Sequence, residues 1–397
     1  MGAIRREQYL EELREGRSDK DVVKVVTGMR RCGKSTLLEQ FKGDLLDSGV
    51  PEEDIIHLNL ESFEGQGYTT YKELNEMLES RVPTDRDSYI LLDEIQNVEG
   101  WEKSVAALCT IEMCDVYLTG SNSSMLSTEL STHISGRYIE IDMLPFSFKE
   151  YIQLHSGSDV NKLFSDYLRY GSLPEVDPAK GERFCQSYIE GVFNTVLVKD
   201  ILSRVKTDDV RRITSIARFL YSNIGNTTNI AAISKGSGIS PVTSDRYVTE
   251  MENALLFYHS ERYDIVGKRL LQTNGKYYAS DLGMRNVVLK GAKGTDVSRP
   301  LENVVFLELI RRGYTVRTGS YRDLEVDFTA LKGGSTEYYQ VTLTMMSEDT
   351  RTRELRPLED IRDNYSKTIL TLDRFGLGSE NGIRIVNVID WLLGQDR

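Results

Sequence analysis

The sequence predicts an α/β protein that begins with a parallel sheet covered by helices on both faces. Strand-like apolar segments alternate with helical segments over the first 150 residues or so, and a glycine-rich turn joins the first strand to a helix. Beyond that region the pattern changes to helices followed by a hairpin, and then to a smaller mixed segment. We therefore expect four parts, at residues 1–150, 151–205, 206–290 and 291–397.

The composition is that of a folded, acidic protein. The 397 residues carry a net charge of −12, with 40% hydrophobic residues and 8 prolines, which argues against disorder. The acidic total excludes a protein that coats nucleic acid with its whole surface, but not a local basic face. The 4 cysteines lack metal-ligand spacing, so a reducing cytoplasm is the simpler expectation. Neither a membrane-spanning run nor a signal peptide is recognisable, and no membrane partner is expected.

The turn after the first strand has the spacing G-x-x-x-x-G-K-[ST], which begins at Gly28 and ends at Ser35. Glycines let the backbone N–H groups face phosphate oxygens, the lysine adds a charge for the β and γ phosphates, and the serine can bind Mg²⁺. A chance match is the alternative, but the strand before the turn and the helix after it supply the required context. We expect ATP and Mg²⁺ at this P-loop. The predicted binding residues are Gly28, Met29, Arg30, Arg31, Cys32, Gly33, Lys34, Ser35 and Thr36.

An acidic pair follows a buried strand. Ser88–Asp93 reads SYILLD, and Glu94 comes next. Downstream of a P-loop, this Walker B pattern predicts that Asp93 holds Mg²⁺ and that Glu94 polarises the attacking water. Such a pair by itself could be an ordinary solvated turn. After the next strand, Ser121 or Asn122 is predicted to contact the γ-phosphate or the water, although either could cap the following helix instead.

Four segments together make a resemblance specific. GMRRCGKST, LLDEIQNVEGW, LTGSNSSML and SGRYIEIDMLPFSFKEY resemble a prokaryotic family of AAA-type P-loop ATPases whose C-terminal half is a domain of unknown function. The resemblance implies ATP binding, hydrolysis and the ASCE strand order 5-1-4-3-2. It also implies that Arg137, before the fifth strand, reaches the γ-phosphate of a neighbouring subunit as an arginine finger, which requires a homo-oligomer. A plain surface arginine is the alternative.

Two modules are expected next. Residues 151–205 are interpreted as a helical lid over the nucleotide, and residues 206–290 as a winged helix whose third helix is Pro241–Asn253. That helix would lie in a DNA major groove and expose the four contact residues that it carries. The 206–290 segment carries about 12 Lys and Arg against about 8 Asp and Glu, a difference of +4, which fits double-stranded DNA. A protein partner is the alternative. The predicted DNA contacts are Thr243, Ser244, Arg246, Tyr247, Lys268 and Arg269, with Arg262 and Lys276 in or beside the wing.

Residues 291–397 have the layout of a restriction-endonuclease-like fold. Such nucleases use a helix glutamate, then an aspartate, then [EQ]-x-K, in which the carboxylates hold Mg²⁺ and the lysine activates water. The matching positions here are Glu302, Asp327, Gln340 and Thr342, so a threonine stands where the lysine is expected. We therefore predict a nuclease-like domain without nuclease activity. A lysine supplied from elsewhere in the chain and a plain α/β domain are the alternatives.

Three functions follow, in order of preference. The first is an ATPase whose nucleotide state drives a DNA-binding arm. The second is a nucleotide-gated signalling or protein-interaction switch with slow hydrolysis. The third is an ATP-dependent nuclease.

Overall fold

The computed structural model describes residues 4–17, 19–83, 85–121, 134, 136–155, 159–205, 209–271, 274–290 and 297–396. The chain divides into two compact units. One comprises residues 1–145 with 253–255, and the other comprises residues 146–252 with 256–397. Among the described residues, no helix is long and apolar enough to span a membrane.

The first unit contains a five-stranded parallel sheet. Its strands are β1 (Val23–Thr27), β2 (Ile55–Asn59), β3 (Ser88–Asp93), β4 (Cys114–Gly120) and β5 (Tyr138–Asp142). The α-helices described between residues 4 and 121 are Glu7–Gly16, Lys34–Asp47, Tyr71–Arg81 and Trp101–Leu108. The strand order is β2-β3-β4-β1-β5, and all neighbouring strands run parallel. This is the predicted order 5-1-4-3-2, read from the other edge.

Burial explains the apolar composition of the central strands. Every residue of β1, β3 and β4 is buried, as expected for parallel strands covered on both faces. The register pairs Thr27 with Gly120, and Leu92 with Leu118. Since parallel strands end at the same edge of a sheet, the segments that follow β1, β3 and β4 meet there.

The second unit contains two further sheets. Its strands are β6 (Thr227–Thr228), β7 (Phe257–Ser260), β8 (Arg262–Asp264), β9 (Arg269–Leu270), β10 (Gly275–Ala279), β11 (Thr315–Tyr321), β12 (Leu324–Lys332), β13 (Ser335–Thr342), β14 (Ser366–Thr371), β15 (Gly378–Glu380) and β16 (Ile383–Asn387). The small sheet has the order β6-β10-β7, and the large sheet has the order β15-β16-β14-β13-β12-β11-β8-β9.

Helices surround these sheets. From residue 146 onward, the described α-helices are Phe148–Leu154, Val160–Tyr170, Glu182–Thr195, Ser203–Val205, Val210–Ser222, Ile230–Ser237, Pro241–Asn253, Leu282–Val288, Ser298–Arg311, Glu348–Asp360 and Val388–Leu393, and a π-helix spans Val196–Leu202. Helix Ile230–Ser237 begins after Asn229, its N-cap, whose side chain accepts a hydrogen bond from the N–H of Ala232.

The hairpin of the 206–290 segment is joined to the C-terminal sheet. β7 pairs antiparallel with β10, as the predicted hairpin requires. The chain between these strands forms β8 and β9, and β8 pairs parallel with β11. One eight-stranded sheet therefore contains strands from both sides of residue 290.

Candidate functional site

The turn after β1 is shaped by two glycines. A Cβ atom on Gly28 would lie 2.5 Å from the carbonyl oxygen of Met143 and 2.7 Å from Sγ of Cys32, so only glycine fits there. Gly33 is the N-cap of helix Lys34–Asp47, with a φ of 110° that favours glycine. Because no described side chain caps this helix, the N–H groups of its first turn suit an anion.

Lys34 lies at the centre of this turn. Its Nζ atom donates to the carbonyl oxygens of Gly28 at 2.9 Å and Met29 at 3.3 Å, and it lies 3.5 Å from Oε1 of Glu94. Burial, the largest single effect, lowers the pKa of Lys34, but the charges of Glu94 and of neighbouring groups that include Asp93 together hold this pKa above its ordinary value. The buried ammonium group therefore keeps its positive charge.

Asp93, at the end of β3, faces Ser35. Its carboxylate accepts hydrogen bonds from the Ser35 hydroxyl, from Oγ1 of Thr119, and from Nδ2 of Asn59 at 2.6 Å. Burial raises the pKa of Asp93, although the hydrogen bonds from Thr119 and Ser35 oppose the rise. A carboxylate beside a serine hydroxyl offers the oxygen ligands that Mg²⁺ prefers. The two residues predicted to bind the metal therefore lie together and fit it.

Glu94 is held in an unusual position. Its φ of 56° is rare for a residue other than glycine, and its backbone N–H donates to Oγ1 of Thr119 at 2.8 Å. The amide of Gln96 donates to the Glu94 carboxylate and, at 3.3 Å, to Oγ of Ser121. Burial, the largest single effect, raises the pKa of Glu94, but the charges of Lys34 and Arg30 and the hydrogen bond from Gln96 together lower this pKa below its ordinary value. Glu94 is therefore an ionised carboxylate beside the lysine.

The other residues predicted to bind the nucleotide differ in burial and in the groups that they can offer to it. Met29 and Cys32 are 1% and 0% exposed, so their side chains belong to the core and only their backbone faces the turn. Arg30 lies 3.1 Å from a carboxylate oxygen of Glu61, and Arg31 has a φ of 70°. Thr36 is half-buried in the first turn of the helix.

The last predicted residues of the nucleotide site are the sensor candidates after β4 and the arginine before β5. Ser121 is buried next to Gln96, whereas Asn122 lies outside the described residues. Arg137 is exposed and precedes β5. Because β5 is parallel to β1 and has 5 residues, Arg137 lies roughly 16 Å from the edge that carries the turn. It is therefore placed away from the nucleotide residues of its own chain.

Sequence reasoning missed four residues that support the site. Asn59 and Thr119 are polar residues at or near the carboxyl ends of buried strands, which is the signal that identified Asp93. Gln96 follows the acidic pair and could have been considered with it. Arg6 donates to the carbonyl oxygens of Cys32 at 3.1 Å and Leu144 at 2.8 Å, and no motif marks it.

The predicted nuclease-like residues come together only in part. Glu302 and Asp327 lie in one cluster with Glu325, and Lys276 of β10 is ion-paired with all three carboxylates. Burial, followed by the charge of Glu302, raises the pKa of Asp327 above its ordinary value, and the charge of Lys276 opposes this rise. A lysine from elsewhere in the chain, left open as an alternative, therefore does enter this cluster.

The other two predicted positions differ in their contacts. Oε1 of Gln340 accepts a hydrogen bond from the N–H of Asp327 at 3.3 Å, and its amide donates to Glu354. The hydroxyl of Thr342 donates locally to the carbonyl oxygen of Thr344 at 3.3 Å.

The predicted DNA-reading face of helix Pro241–Asn253 requires a correction. Ser244 and Tyr247 are 0% and 4% exposed, so the prediction that they are exposed is wrong. The helix packs through that face, and Thr243 is half-buried. Arg246 is exposed, but its guanidinium also donates to the carbonyl oxygen of Val205 at 3.0 Å.

The positive charges of the hairpin also divide into two groups. Lys268 and Arg269 are exposed, although Arg269 lies 3.8 Å from a carboxylate oxygen of Asp264. Arg262 is half-buried and donates to Ser320 at 3.4 Å, and Lys276 is buried in the acidic cluster. Lys268 and Arg269 thus keep the exposure that DNA contact requires, whereas Lys276 does not.

Two family models match the chain. Residues 20–152 match an AAA domain, and residues 161–295 match a domain of unknown function (DUF8612). An uncharacterised protein of Haemophilus influenzae is 38% identical over 400 residues, which cover 98% of each chain. The chain belongs to this family of AAA-type P-loop ATPases. Another uncharacterised protein, from Methanocaldococcus jannaschii, is 26% identical over 94% of this chain and 88% of its own.

Solved structures similar to this AAA-type ATPase are distant. The Aeropyrum pernix Orc1 protein in complex with DNA is 12% identical, with a TM-score of 0.30 over 73% of this chain and 93% of its own. A DNA polymerase III gamma subunit-related protein of Thermotoga maritima is 10% identical, with a TM-score of 0.29 over 62% of this chain and 99% of its own.

Proposed function

We propose that this protein binds ATP with Mg²⁺, hydrolyses it, and uses its nucleotide state to act on a DNA-binding arm. One observation carries the hydrolytic part of the proposal. Lys34, at the start of a helix, and Asp93 and Glu94, at the end of β3, meet at one edge of the sheet, with Ser35 beside Asp93. Lys34 is a cation that can bind phosphates, and Ser35 and Asp93 are oxygen ligands for a metal ion. Glu94 is a carboxylate that can orient the attacking water.

Each residue has a chemical role in this proposal. Lys34 gives its charge to the β and γ phosphates, and the N–H groups at the start of helix Lys34–Asp47 contact phosphate oxygens. Ser35 and Asp93 hold Mg²⁺, which neutralises phosphate charge when bound. Glu94 accepts a hydrogen bond from the attacking water and orients it. Gln96 connects Glu94 to Ser121, the proposed sensor.

Arg137 is proposed to act in a neighbouring subunit. Its exposure and its distance from the P-loop of its own chain support a role in trans, which requires a homo-oligomer. We expect ATP turnover per subunit to rise with protein concentration, and Arg137→Ala to lose that rise. Arg81→Ala, at another arginine that is largely exposed in this unit, is the control. Turnover that is independent of concentration in the wild-type protein would contradict the role in trans.

The remaining parts are proposed to form the output of the ATPase. Residues 151–205 would act as the lid, 206–290 as the winged helix and 291–397 as the nuclease-like domain. The exposed side chains of Lys268, Arg269 and Arg246, together with the positive balance of the 206–290 segment, support contact with double-stranded DNA. The burial of Ser244 and Tyr247 favours the second candidate, a switch that acts on a protein partner.

ATP hydrolysis with and without double-stranded DNA separates the two candidates. We expect DNA to stimulate turnover, and we expect the stimulation to fade as salt rises, because phosphate contacts release counterions. Lys268→Ala/Arg269→Ala should reduce the stimulation and leave basal turnover unchanged. Slow ATP turnover that is the same with and without DNA at low salt would instead support the switch and contradict the DNA-binding arm.

A further inference from the structure

Lys276 lies on β10 of the small sheet, yet its side chain ends among carboxylates of the C-terminal segment. Its Nζ atom is 2.9 Å from Oε1 of Glu302, 2.9 Å from Oε1 of Glu325, and 3.8 Å from Oδ1 of Asp327. The lysine side chain is 4% exposed. An ammonium group has three N–H donors, and three carboxylates surround this one.

Two of these carboxylates, Glu302 and Asp327, occupy the positions at which a nuclease of this layout would hold its metal ion. Glu302 comes from helix Ser298–Arg311, and Asp327 comes from β12. Two contacts of 2.9 Å are charge-assisted hydrogen bonds, so the lysine already satisfies oxygen atoms that would otherwise face a cation. Glu325 is the most exposed of the three carboxylates, at 38% of its side chain.

Further hydrogen bonds fix the carboxylates in this arrangement. The hydroxyl of Tyr278, two residues after Lys276 on β10, donates to Oε1 of Glu302 at 2.7 Å. The backbone N–H of Val341 donates to Oδ2 of Asp327 at 2.9 Å. β10 thus supplies two donors to the cluster, although it pairs with β6 and β7 and not with the eight-stranded sheet.

We propose that the ammonium group of Lys276 takes the cation position of this carboxylate site in place of a divalent metal ion, and thereby fastens the β7–β10 hairpin to the large sheet. A lysine that activates water beside a metal needs access to that water, whereas this side chain is almost fully enclosed. The site is therefore a structural ion-pair centre, and the protein does not cut DNA through it. This role does not depend on ATP hydrolysis.

The wild-type site is tested with Mn²⁺ as the probe, without nucleotide. Full-length protein with Ser35→Ala, which removes one of the two proposed metal ligands of the nucleotide site, is titrated with Mn²⁺ while free metal is followed by electron paramagnetic resonance. We expect no Mn²⁺ at the cluster up to about 1 mM, the range of weak protein sites. One bound Mn²⁺ that is lost on Glu325→Gln would overturn the proposal, as would Mn²⁺-dependent DNA cleavage abolished by the same change.

Removal of the lysine gives the complementary test. Lys276→Met leaves three carboxylates without their cation, so the melting temperature should fall by roughly 10 °C in EDTA. Mn²⁺ should restore most of this loss, because the metal can now enter, and addition of Asp327→Asn should prevent the restoration. Lys276→Gln keeps a donor and should be affected less, and it replaces the methionine variant if that variant is insoluble. Variants that melt like the wild type, or that gain no Mn²⁺ binding, would contradict the proposal.

Discussion

Glu94→Gln is expected to keep ATP bound while hydrolysis falls by roughly 10²- to 10⁴-fold. The amide has the size of the carboxylate, and it retains an oxygen that can accept the hydrogen bond from Gln96. It cannot take a proton from water, and it brings no negative charge to Lys34. Single-turnover hydrolysis measures the loss, and equilibrium binding of labelled ATP measures retention.

The control for this experiment is Glu99→Gln. Glu99 is an exposed glutamate five positions farther along the chain, so the same chemical change there should alter neither binding nor turnover. If Glu94→Gln hydrolysed ATP at the wild-type rate, Glu94 would lose its assigned role, and the base would have to be sought among other residues at this edge of the sheet.

Lys34→Ala is expected to abolish ATP binding at ordinary concentrations and to reduce turnover by at least about 10²-fold, the effect of removing one preorganised donor from developing charge. The loss should exceed that of an average surface lysine, because the Lys34 side chain is only 2% exposed. Titration of labelled ATP together with steady-state turnover measures both effects.

Lys42→Ala provides the matched control. Lys42 lies on the same helix, but its partner is the exposed carboxylate of Glu52, at 3.1 Å. This change should leave ATP binding intact. Melting temperatures must accompany the comparison, since Lys34→Ala also removes the counter-charge of the buried Glu94. Tight ATP binding by a folded Lys34→Ala protein would show that the turn does not hold the phosphates as proposed.

The first unit was accessible from sequence because its signals are local. The P-loop spacing, the strand that ends in Asp93 and the alternation of elements each lie within short segments, and the structure joins them in the expected strand order. Asn59 and Thr119 were not identified from the sequence, although they are polar residues at or near strand ends, as Asp93 is. Short polar residues at strand ends are common, and only the paired strands reveal which of them converge.

The second unit depends on contacts that no local pattern encodes. Lys276 precedes Glu302 by 26 residues, and its place in the acidic cluster is set by how the hairpin packs. The face of helix Pro241–Asn253 was misassigned for a similar reason. Polar residues such as Ser244 can be buried when neighbouring groups accept their hydrogen bonds, and Ser244 Oγ donates to the carbonyl oxygen of Ile239.

The pairing of β8 with β11 has a practical consequence for dissecting this protein into fragments. A fragment that ends near residue 290 would retain β8 without its parallel neighbour, leaving an open strand edge of the kind that recruits other chains. The same cut would separate Lys276 from all three of its carboxylates. The segments on the two sides of position 290 therefore need to be expressed in one polypeptide. A fusion protein that uses either segment should include the other as well.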